Sequence, residues 1–145
     1  EVVVASRDAA RAEAVCEAVR KRVPEAKLTA AATPDAAGTQ AALEGSALVV
    51  GAGAAGVSLL PKSLWHAHSS LKVAIDLNAV PPAGIEGIDV ADKAVEKGGV
   101  VGYGAVGVGG TKMKIHRAAI QRLFESNDAV LDAEEIYELG RSLIK

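Results

Sequence analysis

The sequence contains few cysteines and aromatic residues and carries almost no net charge. Its one cysteine excludes a disulfide framework and a cysteine-based zinc site. A formal net charge of −2 gives no positive field for a phosphate backbone, which argues against non-specific nucleic-acid binding. No apolar run approaches the ~18–20 residues that cross a bilayer. These absences predict a cytoplasmic protein that binds neither nucleic acid nor membranes.

The residues that are abundant point to a compact α/β protein. Half of the 145 residues are hydrophobic and 23% are charged, so a disordered chain is excluded. The many alanines and the 15 glycines allow helices to lie close to a sheet and backbone to approach a ligand. Because the chain opens on Glu1 and an apolar run, without an initiator Met, we expect a part of a longer protein.

Apolar runs and amphipathic segments alternate along the chain on short connections. This order predicts a doubly wound, mostly parallel α/β sheet. Strands 2–5 and 47–50 are expected to be buried on both faces. The predicted strands are 2–5, 27–31, 47–50, 71–77 and 100–101, and the predicted helices are 9–22, 34–43, 62–68, 89–96, 111–125 and 133–143. The predicted helix caps are Asp8, Thr33, Thr111 and Asp132.

The segment Gly51–Gly56 has the spacing G-x-G-x-x-G directly after a predicted strand. Such a loop can bring a pyrophosphate to a helix N-terminus. Two strand–helix units precede it, however, and Pro61 interrupts the long helix that should follow. The residues therefore favour a later strand-end loop near a ligand over a true pyrophosphate loop.

Ser6 and Arg7 follow the first predicted strand. A cationic residue there suits the 2′-phosphate of NADP, because a guanidinium binds that group in bidentate fashion whereas a carboxylate would repel it. An exposed arginine beside Asp8 is the equal alternative.

Several basic residues lie at the start of the predicted helix 111–125. Lys112 and His116 are four positions apart and share a face, whereas Lys114 faces elsewhere. Cations oppose the dipole at a helix N-terminus, so an anionic ligand could explain them; a solvated basic face is the alternative. His66 and His68 have no further ligand at metal-binding spacing, and no metal site is predicted.

Longer stretches of the chain resemble the NADP-binding domain of the methylene-tetrahydromethanopterin dehydrogenases of methylotrophic bacteria, which belong with the methylene-tetrahydrofolate dehydrogenases. The stretch from Asp76 to Asp89 and the stretch from Gly104 to Arg117 are long and unusual in composition. The remaining matches are 3–7, 52–61 and 123–126.

The resemblance implies a Rossmann-like domain over residues 1–145, with the helices of about 111–145 packed back on it. It implies that the first strand, its glycine-rich turn and a pterin-binding domain precede Glu1. It also implies that Ser6 and Arg7 hold the adenosine 2′-phosphate of NADP, with NAD as the other coenzyme. The full set of implied cofactor-binding residues is Ser6, Arg7, Gly51, Ala52, Gly53, Ala54, Asp76, Asn78 and Gly107.

The reaction that the resemblance implies is hydride transfer from a methylene-tetrahydropterin to NAD(P)+, with Lys112 near the substrate. This chemistry needs orientation and water exclusion rather than a metal or nucleophile. The family also implies a homo-oligomer, a trimer or hexamer. Two alternatives stay open: an NADP oxidoreductase of the shikimate-dehydrogenase type, and a nucleotide-sensing domain without catalysis.

Overall fold

The protein is described by a computed structural model in which residues 1–143 are defined. Strands and helices alternate through most of the chain, which confirms the predicted α/β class. The strands are β1 Val2–Ser6, β2 Leu28–Ala32, β3 Leu48–Gly51, β4 Val73–Asp76, β5 Lys93–Lys97 and β6 Val100–Tyr103. The helices are α1 Ala9–Arg22, α2 Ala36–Leu43, α3 Lys62–Trp65, α4 Gly109–Leu123 and α5 Ala133–Leu143.

The strands form two sheets rather than the single sheet predicted. β1 and β2 pair in parallel, and the second sheet has the order β3-β4-β6-β5, in which only β5 is antiparallel. β1 and β3 are therefore each hydrogen-bonded along one edge among the described strands. The predicted burial of both strands is wrong for this reason: Val2 is 57% exposed, Leu48 52% and Val50 47%.

The main core lies against the second sheet. Trp65 and Ile85 are fully buried there, and the indole nitrogen of Trp65 donates a hydrogen bond to the Glu86 carbonyl oxygen at 3.0 Å. The other buried members are Leu43, Leu60, Leu71, Ala74, Ile88 and Val100. The first sheet is covered by α1, whose Ala12 and Cys16 are buried, consistent with Cys16 as a packing residue.

Two predicted helix caps are confirmed and two are wrong. The Asp8 carboxylate accepts a hydrogen bond from the Ala10 amide at 2.9 Å. Asp132 accepts from the Glu134 amide, while Glu135 accepts from the Asp132 amide, which forms a capping box. Thr33 does not cap α2, because Asp35 holds that position and accepts from the Gly38 amide at 2.8 Å.

The start of α4 also differs from the prediction. Thr111 lies inside the first turn, because the backbone is already helical at Val108 and the helix begins at Gly109. The predicted helix 62–68 is shorter and ends at Trp65. α5 ends at Leu143 as predicted, and the last two positions of the predicted C-terminal segment lie outside the described residues.

The predicted helix 89–96 is wrong, and the second half of that segment, residues 93–96, belongs to strand β5. β5 and β6 form a hairpin whose two-residue turn is Gly98-Gly99. Both glycines have positive φ angles, +64° and +88°, as a turn of type I′ requires. The glycine pair therefore directs the chain into a hairpin and overrides the helical pattern.

α5 connects the C-terminal part of the chain to the first half. It packs on α4, and the Arg22 guanidinium at the end of α1 lies 3.5 Å from the Asp132 carboxylate and 4.0 Å from that of Glu134. Within residues 1–143, no helix is both long and apolar enough to cross a lipid bilayer.

Candidate functional site

The carboxyl ends of three parallel strands meet at one edge of the second sheet. Gly51 at the end of β3 lies opposite Asp76 at the end of β4, and Ile75 of β4 lies opposite Tyr103 at the end of β6. Open parallel α/β sheets bind their ligands beyond this edge. The loops that leave Gly51, Asp76 and Tyr103 therefore form the candidate functional site.

The loops after β3 and β4 are joined by hydrogen bonds. The Asn78 side chain donates to the Ala54 carbonyl oxygen at 3.0 Å. The amides of Leu59 and Leu60 donate to the Gly84 carbonyl oxygen at 2.8 and 3.0 Å. Four of the predicted cofactor-binding residues, Gly51, Ala54, Asp76 and Asn78, are thus brought together at one edge, with Ala52 and Gly53 between the first two.

Asp76 is buried, with 2% of its surface exposed. One carboxylate oxygen accepts from the Asn78 amide at 3.0 Å and the other from the Ile85 amide at 2.9 Å. A side chain at Gly84 would lie 2.7 Å from the same carboxylate, so only glycine fits there. The carboxylate therefore fixes the loop after β4, and its predicted contact with a cofactor stays a prediction.

The glycines after β6 allow close contact between two backbone segments. The Gly104 amide donates to the Asp92 carbonyl oxygen at 2.9 Å, and the Val106 amide donates to that of Val90 at 2.9 Å. A Cβ atom at Gly104 or Gly107 would overlap the carbonyl oxygens of this facing segment. Gly107 thus has a packing role, while its role toward a cofactor stays a prediction.

A cavity of about 760 Å³ lies beside this edge, between the ends of β4 and β6 and the helices α4 and α5. Its polar lining includes Lys112 and His116, and Lys114 does not contribute. The predicted shared face of Lys112 and His116 is therefore confirmed. Its apolar lining consists of Leu77, Val108, Ile115, Ala119 and Ile136.

Two further residues of the cavity, Lys93 and Tyr103, were missed by the sequence analysis. The available signal was the Gly98-Gly99 pair, since a hairpin about that turn places Lys93 opposite Tyr103. A helix over residues 89–96, as predicted from the sequence, does not contain the pairing of Lys93 with Tyr103.

Ser6 is the last residue of β1, in the first sheet, and Arg7 follows directly after the carboxyl end of that strand. The Ser6 hydroxyl oxygen accepts from the Asp8 amide at 3.2 Å. The Arg7 side chain is exposed, and among residues 1–143 it forms no salt bridge, including with Asp8. The guanidinium is therefore available to an anion, and its predicted role stays a prediction.

The acidic residues at the start of α5 do not line the cavity, although Ile136 directly after them does. Hydrogen bonding with the side chains of Glu135 and Glu134 in their protonated forms, and then the hydrogen bond from the Glu134 amide, lower the pKa of Asp132 from 3.8 to about 2. The three carboxylates lie close together and are exposed. Asp132 and Glu135 form the capping box and Asp132 and Glu134 face Arg22, so this group acts as a helix start, with Asp132 as the predicted cap.

These features define a Rossmann-like α/β fold, with the candidate site at the carboxyl ends of its parallel strands. No protein-family model matches the chain. The chain is 46% identical over 143 residues to the bifunctional protein MdtA of Methylorubrum extorquens, covering 99% of this chain and 49% of that protein. It is 38% identical over 104 residues to the NAD(P)-dependent methylenetetrahydromethanopterin dehydrogenase of the same organism, covering 70% of this chain and 35% of that enzyme. The chain thus spans half or less of the length of these curated relatives.

Proposed function

We propose that the chain is the coenzyme-binding part of an NAD(P)-dependent dehydrogenase that oxidises a methylene-tetrahydropterin to its methenyl form. The observation that carries the proposal is the cavity at the ends of β4 and β6, which has a mostly apolar lining and Lys112 in its wall. An apolar cavity with a few polar groups is typical of sites for small organic ligands. The similarity to a methylenetetrahydromethanopterin dehydrogenase supports the same assignment.

The described residues fit a nicotinamide dinucleotide. Arg7 lies at the end of β1 without a carboxylate partner among residues 1–143, and a guanidinium there suits the 2′-phosphate of NADP. The loop of Gly51, Ala52, Gly53 and Ala54 lies at the carboxyl end of β3, where backbone can approach a ligand closely. NADP is accordingly the proposed coenzyme, with NAD as the alternative.

A bound nicotinamide dinucleotide would supply the acceptor for a hydride, with its two electrons, from the methylene carbon of the pterin, and the pterin would leave as the methenyl cation. Asp76 and Asn78 contribute by holding the two strand-end loops in one arrangement. The apolar lining of the cavity excludes water, and Lys112 orients the substrate by hydrogen bonding. Positioning of this kind supplies much of the rate enhancement in a hydride transfer.

The open sheet edges support a larger domain in the intact protein. β1 and β3 are apolar runs of the kind that is typical of central strands, yet several of their valine and leucine side chains are exposed. α2 contacts both β2 and β1, so the connection from β2 to β3 passes on the side of β1. We propose that a further strand of the intact protein pairs with β1 and β3 and joins the two sheets. A pterin-binding domain and assembly into a trimer or hexamer belong to the same proposal.

The test is an absorbance assay of nicotinamide reduction with the intact protein. Methylene-tetrahydromethanopterin and methylene-tetrahydrofolate are each supplied with NADP+ and with NAD+. We expect turnover with one of the pterins and faster turnover with NADP+. Binding of NADPH without turnover of either pterin would contradict the proposal and favour a nucleotide-sensing domain. Light scattering of the same sample tests the assembly.

A further inference from the structure

Strand β5 contains a bulge between Lys93 and Val95. Val95 lies opposite Gly102 of β6. The next residue of β6, Tyr103, lies opposite Lys93, so that Ala94 is left without a partner. Ala94 has a φ angle of +57°, a left-handed conformation that crowds the Cβ atom of an L-residue. The strand is therefore held in an irregular conformation at this position.

The bulge determines the face on which Lys93 lies. Gly102 and Tyr103 are consecutive, so they face opposite sides of the sheet. Lys93 consequently shares the face of Tyr103, and Val95 lies on the other face. In a regular strand Ala94 would lie opposite Tyr103, and Lys93 would lie on the side of Val95. Bulges often redirect a side chain next to a functional site, and here both Lys93 and Tyr103 line the cavity.

The charge of Lys93 is not used within the described part of the chain. Lys97, on the same strand, forms a salt bridge of 2.8 Å with Asp92. Within residues 1–143, neither Lys93 nor Lys112 forms a salt bridge, and no acidic residue lines the cavity. The cavity thus has two lysines in its wall and an otherwise mostly apolar surface, which favours a ligand with hydrogen-bond acceptors on an apolar body.

We propose that Lys93 is a substrate-binding residue that, together with Lys112, donates hydrogen bonds to the carbonyl edge of a flat heterocycle lying against the Tyr103 ring. The proposal rests on the proposed function, in which the heterocycle is the pterin. Ammonium groups repel a methenyl cation. The two lysines are therefore assigned to the ring carbonyl, and the methylene carbon to the part of the ligand that faces away from them.

One experiment measures whether a pterin covers Lys93 without requiring turnover. The intact protein is treated with acetic anhydride in the presence and absence of 5-formyltetrahydrofolate, a stable reduced pterin. Mass spectrometry then gives the acetylation of each lysine. We expect the pterin to protect Lys93 and Lys112 in proportion to its occupancy. Lys72, which is exposed and donates to the Ser69 carbonyl oxygen, is expected to react equally in both samples.

A second experiment separates binding from a general structural effect. Lys93→Met should raise the KM for the pterin about tenfold, the value of one hydrogen bond from a charged group, and leave the KM for NADP unchanged. Lys93→Arg should retain most of the affinity, and Lys72→Met should behave like the wild type.

The outcomes distinguish this proposal from the proposed function. One outcome is that the intact protein turns over a methylene-pterin but 5-formyltetrahydrofolate fails to protect Lys93 from acetylation. This outcome would overturn the role of Lys93 and leave the dehydrogenase assignment standing. Protection of Lys93 without turnover of any methylene-pterin would support the binding site and contradict the dehydrogenase assignment. An unchanged pterin KM in Lys93→Met would also overturn the role of Lys93.

Discussion

Asn78 and Ala54 are joined by a hydrogen bond of 3.0 Å from the side-chain amide of the first to the carbonyl oxygen of the second. The bond ties the glycine-containing loop after β3 to the loop after β4. The shape of the first loop is therefore set partly by a residue on the neighbouring strand, which the spacing of the glycines alone does not indicate. Asp76, two residues before Asn78, stabilises the same arrangement because its carboxylate accepts a hydrogen bond from the Asn78 amide.

Replacement of Asp76 by alanine is expected to destabilise the site. It would leave the buried Ile85 amide and the half-buried Asn78 amide without their acceptor, at a cost of about 3 kcal/mol together. Hydrogen exchange at these two amides should accelerate accordingly in the intact protein. Glu44→Ala, at an exposed position, is the control. Unchanged exchange in Asp76→Ala would show that the loop is held by other contacts.

Arg7→Ala tests the selectivity for the coenzyme. Loss of a charge-assisted contact to the 2′-phosphate should raise the KM for NADP by one to two orders of magnitude, or about 1.5–3 kcal/mol. The KM for NAD should change little, because NAD lacks that phosphate. Steady-state kinetics with both coenzymes measure the difference, with Arg141→Ala as the control. Equal losses with both coenzymes would remove Arg7 from the 2′-phosphate.

Lys112→Met and Lys114→Met form a matched pair on α4. Lys112 lines the cavity and Lys114 does not. We expect Lys112→Met to lower kcat/KM for the pterin about tenfold or more, through loss of a hydrogen bond from a charged group, with little change in the KM for NADP. Lys114→Met should retain wild-type kinetics. If the two variants behaved alike, Lys112 would belong to a solvated face of the helix.

The start of α5 should titrate at unusually low pH. The pKa of Asp132 is lowered to about 2 by hydrogen bonding with the protonated side chains of Glu135 and Glu134 and by the hydrogen bond from the Glu134 amide. The folded state binds this proton less well than the unfolded chain does, so the stabilising effect is complete above the ordinary pKa of 3.8 and is lost as the pH falls toward 2.

The chemical shift of the Glu134 amide, which donates to Asp132, should follow this titration. Asp132→Asn should remove the transition. A midpoint near 3.8 would mean that the capping box does not perturb Asp132.

Substitutions of Ala94 test the bulge in β5. Glycine tolerates a positive φ angle, so Ala94→Gly should change the free energy of unfolding by less than about 1 kcal/mol, since relief of crowding is offset by chain entropy. Valine tolerates it poorly, and Ala94→Val should cost about 1 kcal/mol or more. Urea unfolding measures both. Equal stability of the valine variant and the wild type would argue against a left-handed conformation at Ala94.

The sequence predicts the fold class well where local signals agree. The alternation of apolar runs with amphipathic segments gives the α/β class, and Asp8 and Asp132 mark the starts of two helices. The sequence also predicts the sheet edge that carries the candidate site, because Gly51 and Asp76 each follow an apolar run. These features depend on residues that are close together in the chain.

Other features depend on pairing that local patterns do not encode. The exposure of Val2 and Leu48 arises because β1 and β3 each have one unpaired edge, whereas their composition is that of central strands. Lys93 was missed because its face is set by one extra residue, Ala94, in a hairpin that the sequence analysis read as a helix. A shift of one residue in a strand reverses every side chain beyond it.

The contact of Arg22 with Asp132 and Glu134 has a consequence for the coupling between the two ends of the candidate site. It links α1, which covers the sheet that ends in Arg7, to α5, which provides Ile136 to the cavity wall. A dinucleotide that steadies α1 would also steady this wall, although the link itself is exposed and weak. We therefore expect at most a small coupling between a ligand held at Arg7 and the order of the cavity wall at Ile136.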